Sequence, residues 1–526
     1  MKAFVKGDLD GFFALALDNL INILLISSFC IGMLGFEPEF FFSKILPGTS
    51  VALIVGNLFY AKQAISLAKR ENRNDVCALP YGLNLFTTLA FSILVMLPAQ
   101  QAALAEGLSK EEADLAAWQA GIIACVGSGL IEILGGLVAD KLRLWIPRAA
   151  LLATPAMVGL LMIAGDFFFK VMGHPAIGFV TLGLIIATYY GRMKLRAGIP
   201  VSAAVLAIGT LIAWALYSRG DNPLVPVGGA SSATIGLHFP IPVIGNLLQG
   251  AGYFSEYLNV ILPMGLLNLI GSLQCLESAE AAGDRYPGRP SLVMNGVGTL
   301  GAAFFGSPYP TTLYYGHPGW KAIGSRAGYS TLNAICFTFL LLTGSISYIA
   351  QLIPIEAGMA ILVWIGATIF IQAFSTVPQK HFPAVAVGML PVVGGFTALI
   401  IRHALGGSDT LFSPDLLGQI NDNRNFAITG VFASDVGYIF SSVIWAATTV
   451  AVIERNFARA AIWMLCGATM AITGLIHSFQ IQPFDVVGAV APAWSWFWSY
   501  LATALLFIII PLIASPDDDP DRGEFH

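Results

Sequence analysis

The sequence predicts an all-helical integral membrane protein built from two seven-helix halves of inverted orientation, with about two further helices at the C-terminal end. Three observations predict it. The 526 residues are 56% hydrophobic and only 11% charged, with a mean hydropathy of +0.76, whereas a soluble domain carries about 25% charged residues. Mainly apolar runs, most near the roughly 20 residues that a helix needs to cross a bilayer, recur sixteen times. Two of them, at matching places in the two halves, are interrupted by proline and glycine.

The runs fall near 12–34, 49–70, 77–98, 117–139, 147–166, 174–190, 200–218, 257–283, 291–306, 312–325, 329–348, 353–377, 384–404, 431–453, 459–479 and 490–514, the ninth and tenth being short. The first follows "MKAFVKGDLDGFF", where Asp8 and Asp10 offset two lysines and no small-residue cleavage site follows, so it reads as a retained helix and not as a signal peptide. Six cysteines lie in or at apolar runs without CxxC spacing, which implies packing residues, with no disulfide framework and no metal site.

Lysine and arginine are retained on the cytoplasmic side during insertion. With the N-terminus inside, 20 of the 26 fall there, among them Lys62, Arg70, Arg143 and Arg192. A multi-pass protein of a cell (inner) membrane with both termini cytoplasmic is expected. The acidic tail 515–526 reads as a solvated end, and the net charge of −5 gives no ground for a nucleic-acid partner.

The Gly-, Pro- and Ser-rich segment 219–256 divides the first fourteen runs seven and seven, giving a first repeat at 1–218, an external linker at 219–256, a second repeat at 257–455 and a helical extension at 456–514. An odd number of spans per repeat inverts the second. The third run of each half carries a related stretch, "ALPYGLNLFTT" (78–88) and "SPYPTTLYYG" (307–316). Proline removes a backbone donor and excludes the preceding helical turn, so each stretch should begin extended and become helical afterwards. Non-helical backbone at membrane depth survives only when buried or lining a cavity, and matched interruptions in two halves point to a transporter's binding site. A proline-kinked structural helix is the competing reading, though one kink does not explain the matched position.

"VMNGVGTLGAAFFGSPYPTTLYY" resembles the ninth-to-tenth-helix signature of the nucleobase/ascorbate (xanthine/uracil) permeases, and "ALPYGLNLF" and "IPRAALLATPAMVGLLMIAG" resemble the third and fifth helices of their azaguanine-type purine branch. The resemblance covers roughly residues 10 to 455. It implies a core and a gate domain, each drawn from both halves, and a substrate held between the third and tenth segments and the first and eighth helices. It also implies a carboxylate on the eighth helix and another after the Thr-Thr pair; here Asn268 stands at the first place and Tyr315, or His317, at the second. An amide still donates and accepts toward a heterocycle but never titrates.

On this reading Asn268, Ser272, Tyr81, Asn84, Thr311, Thr312 and Tyr315 are the expected substrate ligands, with Thr311 and Thr312 at the start of a half-helix, and Tyr309 and Tyr314 further aromatic candidates. Ionisable residues inside a membrane are expensive and therefore functional candidates. Asp18 and Asn22, at i and i+4 on one face, would hold a sodium ion, bond the eighth helix or glue the bundle. His317 would carry a coupling proton or bond a backbone carbonyl. Glu277 and Glu280 suit a gate or interface, and Glu132, among small residues, suits a buried bond to a neighbouring helix.

No P-loop, dinucleotide fingerprint or HExxH stands in the chain, so no enzyme and no cofactor is expected beyond a coupling ion, sodium or proton. The leading expectation is a secondary transporter of a small polar planar solute, a purine or related nucleobase, moving by elevator-like alternating access. One alternative keeps the fold and carries an anion, a carboxylate or inorganic oxyanion, between two helix N-termini without carboxylates. Another is a non-transporting membrane scaffold or sensor. The C-terminal helices offer a surface for a homodimer.

Overall fold

The computed structural model describes residues 4–196, 199–218, 236–406, 412–424, 426–482 and 485–514. The acidic tail and the first part of the expected linker, 219–235, lie outside the described residues. The fold is of the expected class: an all-helical membrane protein whose third and tenth segments are broken. Among the described residues nine helices are long and apolar enough to cross a membrane, or ten if one bent pair is counted as a span.

In chain order the first half gives α1 (Gly7–Ser27), α2 (Pro38–Arg70), β1 (Tyr81–Leu83), α3 (residues 85–105), α4 (Lys110–Gly136), α5 (Arg148–Gly173), α6 (Pro175–Tyr190) and α7 (Val201–Ser218). The second gives α8 (Leu258–Ala281), α9 (Gly288–Phe304), β2 (Thr311–Leu313), α10 (His317–Ala322), α11 (Gly328–Thr343), α12 (Met359–Ser375), α13 (Phe382–Gly406), and the pair α14 (Ile428–Asp435) and α15 (Tyr438–Ile453), bent by 88°. Then come α16 (Phe457–Ile472), the hairpin β3 (Phe479–Gln482) and β4 (Asp485–Gly488), and α17 (Trp494–Ile513).

Local chemistry accounts for the starts. Ser109 and Glu112 form a capping box on α4, each side chain taking a backbone N–H at the other's position. Asn84 caps α3 by accepting the Thr87 N–H at 3.1 Å.

Each expected run meets a described element, but the sixth, ninth, tenth, eleventh, twelfth and fifteenth fall outside those nine or ten helices, and the tenth is hardly helical. Residues 311–313 are strand, and the helix after them has six residues. Thr311 and Thr312 therefore do not begin a half-helix, as the sequence suggested. Pro308 and Pro310 have no N–H to give a helix, and the backbone here bonds β1 instead: Tyr81 pairs with Leu313, Gly82 with Thr312 and Leu83 with Thr311, all antiparallel. Asn84 N to the Pro310 carbonyl at 3.0 Å and Tyr314 N to the Pro80 carbonyl at 2.9 Å extend the ladder at both ends. An antiparallel course is that of equivalent segments in inverted halves.

The chain forms two compact units that cut across the sequence halves. One takes residues 1–140 and 163–368, the other 141–162 and 369–526. In the first, α4 packs along α9 and α8, and α2 along α11. In the second, α13 packs on α15, Thr154 donates to the Ser442 hydroxyl at 2.8 Å, and α16 lies along α17.

Candidate functional site

The β1–β2 ladder lies within the first unit, and polar side chains bond one another around it. Asn268 and Ser272, one turn apart on α8, face β2. Asn84 Nδ2 donates to Asn268 Oδ1 at 2.6 Å, and Asn268 Nδ2 reaches the Thr311 carbonyl at 3.4 Å. Ser272 Oγ stands 3.3 Å from Thr312 Oγ1 and accepts from Asn295 Nδ2 at 2.9 Å. Tyr81 and Thr311 share a hydroxyl bond of 2.5 Å, and Tyr315 donates to Gln274 Oε1 at 3.2 Å. The structure thus brings together all seven residues that the sequence offered as substrate ligands.

Close approach fixes the ladder. A Cβ on Gly56 would stand 2.0 Å from the Tyr81 ring, one on Gly298 1.9 Å from its hydroxyl, and one on Gly82 2.3 Å from the Tyr314 hydroxyl. Only glycine fits at such distances.

Asn84, Asn268, Ser272 and Thr311 are buried, whereas Thr312, Tyr314 and Tyr315 keep partial exposure and form the accessible edge. Asn295 Oδ1 and Gln274 Nε2, both buried, have no hydrogen-bond partner among the described residues. Asn295 therefore offers an acceptor beside Ser272 and Gln274 a donor beside Tyr315, and the hydrogen bonds drawn between the site's residues join uncharged groups.

The ion-coupling candidates separate. Asn22 Nδ2 donates to the Asp18 carbonyl at 3.0 Å and to the Tyr314 hydroxyl at 3.4 Å, which in turn donates to the Leu83 carbonyl at 2.9 Å. Asn19, between them, donates to Asn333 of α11 at 3.1 Å. This row of α1 thus meets the tenth segment and α11. Glu277 is buried on α8, about 14 Å along the axis from Asn268 at 1.5 Å per residue. Glu280 pairs with Arg285 at 3.6 Å.

His317 belongs to a second cluster, at the ends of the broken segments. Its Nε2 lies 3.1 Å from the Cys77 carbonyl oxygen and 3.3 Å from Asp284 Oδ2. Asp284, fully buried, also accepts from Lys321 at 2.6 Å, from Arg73 at 3.1 Å and from the Cys77 N–H at 2.9 Å. Burial pushes its carboxyl up, but His317, the Cys77 N–H and Lys321 outweigh burial and hold it below the usual carboxylate range. Arg73 likewise draws Asp75 down to about 2. Asp284 escaped the sequence reading because an acid in "AAGDRY" looks like a solvated helix end. Asn295 and Thr299 escaped it too; their signal was the i, i+4 spacing on α9 just before the broken segment.

No family model and no curated protein matches the chain. Among solved structures, the transmembrane domain of a cyanobacterium bicarbonate transporter, BicA, is similar at 16% identity over 73% of this chain and 94% of that one, with a TM-score of 0.41. SLC26A9 is similar at 13% identity over 89% and 78%, with a TM-score of 0.35. The resemblance to nucleobase permeases accordingly rests on its motifs alone.

Proposed function

We propose that the protein is a secondary transporter that binds a small polar planar solute, a purine or related nucleobase, at the β1–β2 ladder and moves it by alternating access. The observation that carries this is the pairing of two interrupted segments, one from each half, against an amide pair on α3 and α8. Discontinuous segments of this kind form transporter sites because their backbone can be satisfied by ligand. The unpartnered Asn295 Oδ1 and Gln274 Nε2, with the amides of Asn84 and Asn268, supply both acceptors and donors for the edge of a heterocycle. Asp18 and Asn22, beside Tyr314, are the proposed sodium site. Both termini are cytoplasmic by the charge bias, and the C-terminal helices are the proposed homodimer surface.

One observation favours an anion instead: among the described residues no carboxylate bonds a residue of β1 or β2, and α3 opens with its N-terminus at the ladder. The second N-terminus that this reading needs is reduced to a six-residue helix, which weakens it.

Thermal unfolding in detergent separates the readings. Adenine or xanthine at a hundred times Kd should stabilise by about 2.7 kcal/mol, and Asn268→Ala should lose the gain while keeping a cooperative unfolding transition. A gain with bicarbonate or sulfate instead supports the anion; no gain with any of the four contradicts both.

A further inference from the structure

Glu132 stands on α4, 1% exposed, with neither carboxyl oxygen hydrogen-bonded to a partner among the described residues. Gly129 and Gly136 lie about one turn before and after it on the same face. A Cβ on Gly129 would stand 3.0 Å from the Gly296 carbonyl oxygen, and one on Gly136 3.0 Å from the Val293 nitrogen. The two backbones therefore meet here, and Glu132 is carried into the contact between α4 and α9. Ser128, one turn earlier, also has a buried hydroxyl without a partner.

The α9 hydroxyl on this contact is that of Thr299, whose carbonyl accepts from Cys125 Sγ of α4 at 3.5 Å. Thr299 Oγ1 donates to the Thr311 carbonyl at 3.2 Å and accepts the Thr311 N–H at 3.2 Å. That same carbonyl is the one the Asn268 amide reaches. One hydroxyl thus separates the buried carboxyl from the strand that the proposed substrate ligands hold.

The ionisable groups whose charge is felt at Glu132 are Tyr60 on α2, Tyr81 on β1 and Cys125 on α4 itself. Among the described residues no lysine, arginine or histidine pairs with it. A carboxylate at this depth without a cation is costly, so the carboxyl is held most cheaply as the neutral acid. Asp18 and His317 differ: Asp18 is part-exposed beside Tyr314, and His317 is committed to Cys77 and Asp284.

We infer that Glu132 is a proton-binding site, and that it couples proton movement to the solute site through Thr299 and the β1–β2 ladder. As the acid, Glu132 donates its O–H to Thr299, whose own proton stays on the Thr311 carbonyl. When the acid gives its proton to water, the carboxylate becomes an acceptor and the Thr299 O–H turns to it. The Thr311 carbonyl then keeps only the Asn268 amide. Proton release therefore changes how a proposed solute ligand is held. The coupling half of this inference rests on the transporter reading; the proton site does not.

Infrared difference spectroscopy of the full chain in lipid, between acid and alkaline pH, tests the site without any solute. The wild type should show a protonated-carboxyl stretch that is lost at alkaline pH; Glu132→Gln should lack it, and Thr299→Val, which removes the hydroxyl partner, should shift its frequency. No such titrating band in the wild type overturns the site, as does a band unchanged in both variants. Should Glu132→Gln fail to fold, the wild-type titration and Thr299→Val decide the matter.

Coupling is read with labelled adenine in proteoliposomes. A pH gradient of one unit sustains up to about tenfold accumulation at one proton per solute. Glu132→Gln should lose this accumulation while adenine exchange at equal pH continues, and retained accumulation overturns the coupling. A wild type that shows the titrating band but moves neither adenine, xanthine, bicarbonate nor sulfate upholds the proton site and defeats the transporter reading.

Discussion

Replacing Asp284 by alanine is expected to destabilise the protein by about 3 kcal/mol, because removing one member of a buried ion cluster leaves the others uncompensated. Asp284 is fully buried, while Lys321 and Arg73 keep 15% and 28% of their side-chain surface exposed and can still reach Asp75. That fallback puts the loss at the low end of the buried-pair range. The cluster joins the segment before β1, the loop after α8 and α10 behind β2, so its loss frees the ends of both broken segments at once.

The pH dependence follows from the sign of the shift. Asp284 is held below the usual carboxylate range, so its contribution is complete above the unfolded value, about 3.9, and is lost as pH falls through the lower folded value. Thermal unfolding of wild type and Asp284→Ala in detergent should therefore show the full gap at pH 5, above the usual carboxylate titration. The gap should shrink on acidification below about pH 4. A gap that persists in strong acid, or none at neutral pH, contradicts the assigned role.

Gly298→Ala is the second large effect. The new methyl would stand 1.9 Å from the Tyr81 hydroxyl and 3.4 Å from Thr311 Oγ1, so the ring or α9 must shift, at a cost of about 3 kcal/mol. Tyr81→Phe alone should cost about 1 kcal/mol, the worth of its bond to Thr311. In the double variant the offending oxygen is gone, and the remaining contact, to the ring carbon that bore it, is 3.2 Å. The two losses should then be non-additive by at least about 1 kcal/mol in the rescuing direction. Additive losses in a double-mutant cycle would show that Tyr81 does not lie against α9 as described.

Much of this was legible in the sequence. Apolar run length located the helices, and the matched Pro-Tyr stretches located the ladder, because proline's missing donor acts locally and can be read residue by residue. The nature of the tenth segment was less legible. Whether "TTLYYG" begins a helix or pairs as a strand depends on a partner, Tyr81–Leu83, some 230 residues away. Asn268, Ser272 and Asn84 are candidates through motif position and spacing, and the structure sets them beside the ladder. Asn295, Thr299 and Gln274 are not such candidates, since a polar residue on an apolar helix declares its partner only once the neighbouring helices are placed. Asp284 is the clearest case: nothing local separates a solvated loop acid from one fully buried among three basic side chains.

The central claim, that the ladder and its amide pair hold a transported solute, is tested most directly by exchange of labelled adenine across proteoliposomes at equal pH, with unlabelled bicarbonate as competitor, for wild type and Asn268→Ala. The account predicts saturable adenine exchange in the wild type, unaffected by bicarbonate and reduced at least about tenfold in the variant, as loss of one buried hydrogen-bonding group in a polar site implies. Adenine exchange equal in the two proteins, or none in a wild type that exchanges bicarbonate, would contradict it.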